Sequence, residues 1–281
     1  MSNQIHWFPG HMKKALQNIE EKTRLVDIII EIIDARAPLS SHNPFFDTML
    51  KSKPVLIVLS KNDLADETIT GKWIQYYEKI GFTTIAGNLT SPSFSKKIGI
   101  KCEQLSFAKR EKEKKRGMKP QPVRVMVLGI PNVGKSTLIN TLTHSSSASV
   151  QNKPGLTRSE QWIRISKYFD LLDTPGILPM RYDDEMVSKN VALIGCVKQD
   201  ILPIDSLSRY LLNLLQKYYP GVLQDKYKID HLIIDHDDIF NKIACLRGCM
   251  SGGKFDITKA QVLLLNDFKN GYLGRISIER L

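Results

Sequence analysis

The sequence predicts an α/β fold in which a doubly wound, mostly parallel sheet is followed by a C-terminal helical domain. Two observations support this prediction. Short β-branched runs alternate with helical patterns over the first two thirds of the chain, which is typical of parallel sheets covered on both faces. After residue 180 the strand-like runs give way to amphipathic helical patterns. We therefore expect one domain at residues 1–180 and a second at 181–281.

Six strand-like runs are expected to form the sheet. Turn-forming residues or helical patterns separate each run from the next. Their continuous apolar character indicates strands that are buried on both faces. The predicted strands are LVDIIIEII (25–33), PVLIVLS (54–60), FTTIA (82–86), VRVMVLG (123–129), QWIRIS (161–166) and YFDLLD (168–173).

Helices are predicted between these strands at 70–81 and 134–142. The basic stretch 108–122 ends in Met-Lys-Pro-Gln-Pro, and we expect it to be a linker before the fourth strand. A second interpretation of its run FAKREKEKKRG is a solvated helix with charge pairs four residues apart.

The C-terminal region is predicted to contain helices at 204–219 and 256–268, each with apolar residues on one face. Pro203 and Pro220 bracket the first of these helices. The next strand-like run is LGRISIERL at 273–281. We interpret the apolar faces as the core of a helical domain.

Composition places the chain among ordinary globular proteins, because 42% of its 281 residues are hydrophobic and 25% are charged. The longest apolar runs are too short and too charged to span a bilayer, and the first residues lack the pattern of a secretory signal. The four cysteines do not complete a zinc set, so we expect reduced thiols. These features predict a cytoplasmic protein with no membrane partner.

The net charge of +11 indicates a polyanionic partner. Much of the excess is local, since the segment from Lys96 to Lys119 contains ten basic residues and three acidic ones. We expect this partner to be RNA and not DNA.

The segment GIPNVGKS (129–136) matches the phosphate-binding pattern G-x-x-x-x-G-K-[ST]. A predicted strand precedes it and a predicted helix follows it, which is the context that this loop requires. Lys135 is expected to reach the β- and γ-phosphates, and Ser136 to give its hydroxyl to Mg²⁺. The residues expected to contact the nucleotide here are Asn132, Val133, Gly134, Lys135, Ser136 and Thr137.

The segment DTPG (173–176) follows the last predicted strand and indicates the other half of a phosphate site. Asp173 is expected to hold Mg²⁺ through water, and the Gly176 N–H to contact the γ-phosphate. Thr157, in KPGLT, is the hydroxyl best placed to close on Mg²⁺ as a switch; the alternative is an ordinary loop threonine.

The segment SKND (60–63) ends the second predicted strand and resembles the loop with which G proteins read guanine. The Asp63 carboxylate would accept from N1–H and from the N2 amino group, and adenine offers neither donor. Lys61 and Asn62 complete the segment. Ser60 replaces the usual asparagine and is long enough for one of that residue's two bonds, which predicts a loss of about 1 kcal/mol in GTP or GDP affinity.

The base-reading segment precedes the phosphate loop by about 70 residues, which reverses the usual chain order. Ligands bind where the carboxyl ends of parallel strands meet, so the order of those strands along the chain is not fixed. Chain termini that lie close together make such a permutation tolerable. The order therefore predicts a circularly permuted P-loop G domain.

Several motifs together resemble those of the ribosome biogenesis GTPase A family. The motifs are IHWFPGHM, DARAPLSSHNP (34–44), GIPNVGKSTLIN, PGLT, DTPGIL and RGCMSGG (247–253). The resemblance runs through nearly the whole chain. It implies a GTPase that assists a late step in maturation of the large (50S) ribosomal subunit, with a helical domain that binds RNA. Precursor particles, their rRNA and their ribosomal proteins would be the partners. It also implies a second base-contacting loop, for which this sequence offers Asn88 and Leu89.

The residue that orients the attacking water is not evident from the usual pattern. Ile177 stands where small GTPases carry a glutamine after the D-x-x-G glycine. The resemblance points to His11, in FPGHM, as the catalytic residue. Other histidines are expected to be ordinary polar positions: His6, His42, His144, His231 and His236.

Asn132 raises the possibility of a second cation. Its carboxamide oxygen is placed to help coordinate K⁺ beside the phosphates, as in the potassium-dependent GTPases that this sequence resembles in that asparagine. The alternative is an asparagine that stabilises the turn. Two other functions stay open, a GTP-bound RNA scaffold with incidental turnover and a GTPase of tRNA modification or ion transport.

Overall fold

The computed structural model describes residues 10–144, 161–166, 169–179, 182, 184–197, 203–230 and 235–281. Within these ranges it confirms the predicted α/β class, with a mostly parallel six-stranded sheet and helices that follow it. No helix in these ranges has both the length and the apolar character needed to cross a membrane.

The six strands lie in the order β3-β2-β1-β4-β6-β5. All neighbours pair in parallel except β5, which runs antiparallel to β6. Because the chain winds from β1 to β2 and β3 on one side, and from β4 to β6 on the other, a crevice opens between β1 and β4 at their carboxyl ends. The strands are β1 (Ile28–Asp34), β2 (Val55–Ser60), β3 (Thr83–Ala86), β4 (Val123–Leu128), β5 (Gln161–Arg164) and β6 (Phe169–Asp173).

Helices cover both faces of the sheet, so the central strands are buried on both sides. All seven residues of β1 are buried. Alternate isoleucines of β1 enter opposite core clusters, Ile30 and Ile32 on one face and Ile29 and Ile33 on the other. The helices of this part are α1 (Gly10–Thr23), α2 (Pro38–Ser41), the 3₁₀ turn Pro44–Phe46, α3 (Asp47–Lys51), α4 (Glu67–Lys79), α5 (Pro92–Leu105), α6 (Phe107–Lys115) and α7 (Lys135–His144).

The C-terminal part is helical, as predicted, and shares one apolar core with a face of the sheet. Leu211 and Leu215 of one helix and Leu264 of another belong to the same cluster as Ile30 and Ile32. Asp side chains cap the N-termini of three of its helices. The elements are α8 (Glu185–Leu193), α9 (Ile204–Tyr218), α10 (Pro220–Tyr227), α11 (His236–Leu246), a hairpin of β7 (Met250–Ser251) and β8 (Lys254–Phe255), and α12 (Ile257–Lys269).

Two sequence predictions fail in detail. The basic stretch 108–122 is not a linker throughout, because α6 takes up its first half. Ser106 alone separates α5 from α6, and its hydroxyl donates to the Glu103 carbonyl. The interpretation of FAKREKEKKRG as a helix is therefore the better one.

The strand-like run 273–281 forms no strand and returns to the sheet domain as an extended tail. The Ile276 N–H donates to the Leu64 carbonyl over 2.9 Å, and the Ile278 N–H to the Arg36 carbonyl over 2.9 Å. Leu273, Ile276 and Ile278 are buried there, but the groups that accept hydrogen bonds from the N–H groups of the tail lie in loops and not in a strand. The tail thus packs on the two segments that border the crevice.

His42 forms a partly buried ionic contact that the sequence did not reveal. Its Nδ1 lies 2.7 Å from Glu31 Oε1, and its Nε2 lies 2.9 Å from Asp47 Oδ1. Burial lowers the pKa of the imidazole, but Glu31 and Asp47 outweigh that effect and raise the pKa to about 9. The protonated ring therefore joins β1 to α3.

We expect this contact to make stability depend on pH in the alkaline range. A histidine pKa raised by folding contributes stability below pH ~6.5, and this contribution is lost as pH rises through about 9. His42→Gln should lower the unfolding free energy by about 2–3 kcal/mol at pH 6.5, and the difference from wild type should shrink towards pH 10. Urea unfolding followed by circular dichroism measures it.

The matched control is His236→Gln on α11, where burial lowers the histidine pKa and no such alkaline change is expected. A His42→Gln difference that stays constant from pH 6.5 to 10 would show that the ring contributes packing alone.

Candidate functional site

The crevice at the carboxyl ends of the central strands gathers the predicted motifs. SKND follows β2, GIPNVGKS follows β4 and DTPG begins at the end of β6. Asp34 ends β1 and pairs in register with Ser60 at the end of β2. The base-reading and phosphate-binding segments therefore meet across β1, although they are far apart in the chain.

The phosphate loop has its lysine folded back onto its own backbone. Lys135 Nζ donates to the Gly129 and Ile130 carbonyls, each over 2.9 Å. Burial lowers the pKa of the Lys135 ammonium to about 8, and the nearby Asp173 carboxylate acts in the opposite direction. A phosphate in the loop would restore the charge that burial disfavours.

Two glycines leave room where a side chain would collide with this loop. A Cβ at Gly134 would lie 2.6 Å from Leu89 Cδ1, and its φ of +113° is one that other residues rarely adopt. A Cβ at Gly176 would lie 2.9 Å from Lys135 Nζ and 2.8 Å from Pro131 Cα. Gly176 of DTPG therefore sits directly against the phosphate loop, as its predicted contact with the γ-phosphate requires.

The donors available near Lys135 suit a hard cation that is bound mainly by phosphate. Ser136 is exposed in the first turn of α7, and Asp173 is buried at the end of β6. The described residues contain no cluster of three or more His, Cys, Asp or Glu that would hold a metal by itself. One hydroxyl and one carboxylate beside a phosphate loop fit Mg²⁺, which binds few protein groups. Thr157 lies outside the described residues.

Ser60 makes one of the two contacts expected of the residue it replaces. Its hydroxyl lies 2.7 Å from the Val133 carbonyl of the phosphate loop and 3.0 Å from the Ile33 carbonyl, and the residue is fully buried. A hydroxyl has a single proton for these two acceptors. Ser60 therefore fastens the predicted base-reading loop to the phosphate loop.

Lys61 and the exposed Asp63 border the base end of the crevice. Lys61 has a left-handed backbone (φ 53°), and its Nζ lies 2.9 Å from Asp34 Oδ2. Backbone bonds from Leu64 N to Lys61 O and from Ala65 N to Asn62 O close the turn. The Lys61 stem is thus held in place by a carboxylate on the neighbouring strand.

Asp34 and Arg36 form a fully buried ion pair beside Lys61. Arg36 Nε and Nη2 lie 3.0 and 2.9 Å from the two carboxylate oxygens, and the backbone N–H of Arg36 adds a third bond. Burial would raise the pKa of the Asp34 carboxyl, but Arg36 and Lys61 together hold that pKa far below its usual range. The carboxylate stays charged, and both cations depend on it.

Arg36 also reaches the C-terminal helices. Its Nη2 donates to the Ile194 carbonyl over 3.4 Å and its Nη1 to the Lys269 carbonyl over 3.3 Å. The guanidinium lies 5.3 Å from the centre of the Phe268 ring. One side chain therefore joins the base-reading loop, the segment after α8 and the end of α12.

The segment after α8 touches the phosphate loop as well. Asn132 Nδ2 donates to the Gly195 carbonyl over 2.9 Å, and Asn132 has a left-handed backbone (φ 63°). Because two carbonyl oxygens would repel, this bond orients the amide so that Oδ1 turns away from Gly195. Next to it, burial raises the pKa of the Cys196 thiol to about 12, so the thiol stays neutral.

The predicted second base-contacting loop follows β3. The Gly87 N–H donates to the Leu59 carbonyl of β2 over 3.1 Å, which fixes the loop beside SKND. Leu89 is buried against Gly134, and the Asn88 carboxamide accepts from the Thr90 N–H over 2.9 Å. The structure thus brings Asn88 and Leu89 to the crevice, where the Leu89 side chain packs under the phosphate loop.

Ile177 contributes nothing polar to the site, as its sequence position indicates. Its side chain is fully buried, and the Asn43 amide donates to its carbonyl over 2.8 Å. The Ile177 side chain has no polar atom with which to orient a water molecule. His11 falls in the first turn of α1, but its side chain is outside the part of the chain that the structure describes.

The residues of the motif DARAPLSSHNP make contacts that the sequence did not predict. Asp34 pairs with both Arg36 and Lys61 of SKND, and the Asn43 amide donates to the Ile177 carbonyl directly after DTPG. The Leu39 and Ser40 N–H groups at the start of α2 donate to the Glu279 carboxylate of the tail over 2.7 and 2.9 Å. The two opposite charges of DAR, separated by Ala35 at the end of a buried strand, were the available signal.

Comparison with known proteins agrees with this geometry. Residues 124–233 match the protein family described as 50S ribosome-binding GTPases. Ribosome biogenesis GTPase A of Bacillus cereus is 40% identical over 98% of this chain and 93% of its own length. The corresponding protein of Thermotoga maritima is 31% identical over 98% of this chain and 94% of its own length.

The fold has a matching experimental structure. The crystal structure of GNP-bound YlqF from T. maritima superposes with a TM-score of 0.65 at 27% identity, covering 95% of this chain and 98% of that one. The chain is therefore a GTPase and belongs to the ribosome biogenesis GTPase A family.

Proposed function

We propose that this GTPase acts in the cytoplasm on precursors of the large ribosomal subunit, assists a late assembly step, and uses GTP hydrolysis to leave the particle. Family membership supports the subunit as partner. One structural observation carries the rest: Arg36 contacts both the base-reading loop, through Asp34, and the C-terminal helices, through Ile194 and Lys269. Occupancy of the nucleotide crevice can thus be transmitted to the helices.

Residues 1–180 form, in this proposal, a circularly permuted GTPase domain, and 181–281 a helical domain that binds rRNA and ribosomal proteins. The extended tail after α12 crosses back to Leu64 and Arg36, so the two parts share a border at the base end of the site. The helical part is then well placed to respond to GTP and GDP differently.

The site would hold GTP or GDP with Mg²⁺ and K⁺. Gly134, Lys135 and Thr137 would cradle the phosphates, and Ser136, Asp173 and Thr157 would serve Mg²⁺. Mg²⁺ supplies neutralisation of the charge that develops on the transferred phosphoryl group. Asp63 would read guanine, while Ser60 keeps the two loops in register.

Sedimentation with large-subunit precursors tests the function. We expect the protein to sediment with precursor particles in the presence of a non-hydrolysable GTP analogue and to remain in the supernatant with GDP. A protein that binds particles equally with either nucleotide would be a scaffold with incidental turnover. Mature small subunits serve as the control particle and should bind neither form.

His11 enters the same assay as the proposed catalytic residue. In the presence of GTP, the His11→Ala variant should stay on the particle, as wild type does with the non-hydrolysable analogue. The attacking water is no longer oriented in the variant, so GTP turnover should fall by ~10²-fold or more. GTP affinity should be near that of wild type. Release of the variant at the wild-type rate would remove His11 from the mechanism.

Asp63 should determine base choice. Asp63→Asn offers a donor to the C2 oxygen of xanthine, so preference should move from GTP towards XTP by about 1–3 kcal/mol in each direction. Displacement of a fluorescent GDP analogue by GTP, XTP and ATP measures it.

Ser60→Ala is the matched variant for that experiment. It removes the bond to the Val133 carbonyl, so we expect weaker binding of every nucleotide with the guanine preference unchanged. If wild type bound ATP as tightly as GTP, SKND would not be a base-reading segment.

Asn132 should confer a preference for K⁺. Its amide nitrogen is committed to Gly195, and an oxygen oriented away from that carbonyl is the atom that a monovalent cation needs. GTP turnover should rise when K⁺ replaces Na⁺ at constant ionic strength, and Asn132→Ala should abolish the difference. GDP affinity of the variant checks that the loop is intact. Equal turnover of wild type in the two salts would leave Asn132 with the bond to Gly195 as its only role.

A further inference from the structure

Two adjoining depressions lie on the side of the sheet away from the nucleotide crevice, near the starts of β1, β2 and β4 and along the edge strand β5. The first, of about 410 Å³, is lined by residues that include Lys53, Lys112, Arg116 and Met118. The second is lined by residues that include Leu25, Arg124 and Trp162. Asp27 joins them, because its Oδ2 accepts from Lys109 Nζ over 2.7 Å and from the Arg124 N–H over 2.8 Å.

Three acidic groups at this edge are already occupied by cations, and Glu111 is the remaining acidic residue of α6. Asp27 pairs with Lys109, and Asp170 pairs with Arg164. Glu113 lies 2.9 Å from Arg110 and 3.8 Å from Lys109. Among the described residues 109–119, five exposed cations have no ion pair: Lys112, Lys114, Lys115, Arg116 and Lys119.

Helix chemistry accounts for only part of this surplus. Cations in the last turn of α6 favour its C-terminus through the helix dipole, an effect that ends within that turn. Lys119 and the exposed Arg124 lie beyond it. Cations that outnumber the carboxylates around them repel one another, so a surface of this kind is suited to a polyanion.

An aromatic side chain lies beside these cations. Trp162 of β5 is 44% exposed, and the Arg124 guanidinium lies 5.6 Å from the centre of its ring. An exposed indole next to arginine is a surface on which an unpaired base can stack. Phosphate-binding cations with an aromatic platform favour RNA over an acidic protein.

We propose that this surface, the basic edge, is a second RNA-binding site, formed by Lys112, Lys115, Arg116, Lys119, Arg124 and Trp162. It rests on the proposed function, in that the RNA is rRNA of the large-subunit precursor. The cations contact the phosphates and Trp162 stacks on an unpaired base. Because Asp27, Lys53 and Arg124 lie where parallel strands begin and the nucleotide loops lie where those strands end, the contribution of the basic edge is the same with GDP and with GTP.

The test compares two double variants of the full-length protein. Lys112→Gln with Arg116→Gln removes two cations one helical turn apart on α6. Lys72→Gln with Lys79→Gln removes two exposed cations from α4 and is the matched control. Affinity for protein-free large-subunit rRNA and for precursor particles is measured from 50 to 200 mM KCl, with GDP and with a GTP analogue.

We expect the α6 variant to bind rRNA about 10-fold more weakly and to lower the slope of log K against log salt by about 2, equally in both nucleotide states. The α4 variant should match wild type. Trp162→Ala should weaken binding of single-stranded rRNA fragments about 5-fold or more without changing the salt slope. Unchanged GDP affinity shows that each variant is folded.

Three outcomes would overturn the basic edge as an RNA site. They are unchanged rRNA affinity of the α6 variant, an equal loss in the α4 variant, and a loss confined to particles while protein-free rRNA binds normally. The last would assign the edge to an acidic ribosomal protein. Failure of wild type to bind particles at all would instead contradict the proposed function, so the two failures are distinguishable.

Discussion

The buried carboxylate of Asp34 is the constraint on which the nucleotide site depends. Its charge is maintained in a fully buried position because Arg36 and Lys61 both bind it. Removing one partner of such a pair leaves an uncompensated buried charge, which costs about 3–5 kcal/mol. The pair therefore fixes three things together: the Lys61 stem, the turn that carries Asp63, and the guanidinium that reaches the C-terminal helices. If SKND reads the base as proposed, base reading and attachment of the helices cannot be varied independently.

A consequence for regulation follows within the proposed function. If rRNA binding shifts the helices that Arg36 and Asn132 contact, it must alter GTP affinity by the same factor by which GTP alters rRNA affinity. The contacts available for this coupling are short and specific: Arg36 to Ile194 and Lys269, and Asn132 to Gly195. The coupling therefore acts at both the base end and the phosphate end of the crevice, through a single segment after α8.

Local pattern was sufficient for the sheet but not for the contacts between its loops. All six strands were predicted within a few residues, because buried parallel strands are continuous apolar runs. The phosphate loop and SKND were recognisable because their chemistry is confined to a few consecutive residues. The contacts of Arg36 with the C-terminal helices and those of Glu279 with α2 were not, since these partners are far away in the chain. The tail 273–281 resembles a strand in sequence because residues that become buried are apolar. Its hydrogen-bond partners are loop residues, and the pattern of apolar residues carries no information about them.

The sheet separates two kinds of recognition by its polarity. At the carboxyl ends, two glycines and the buried Lys135, which is folded back onto the Gly129 and Ile130 carbonyls, give a small, shaped site. At the basic edge, exposed cations beside Trp162 give a broad surface with little shape. In our proposals the first arrangement selects a nucleotide, while the second would attract any phosphate backbone and depend on salt. The proposed basic edge would then contribute affinity for RNA in either nucleotide state, while the nucleotide crevice would determine, through Arg36, how the helices are held.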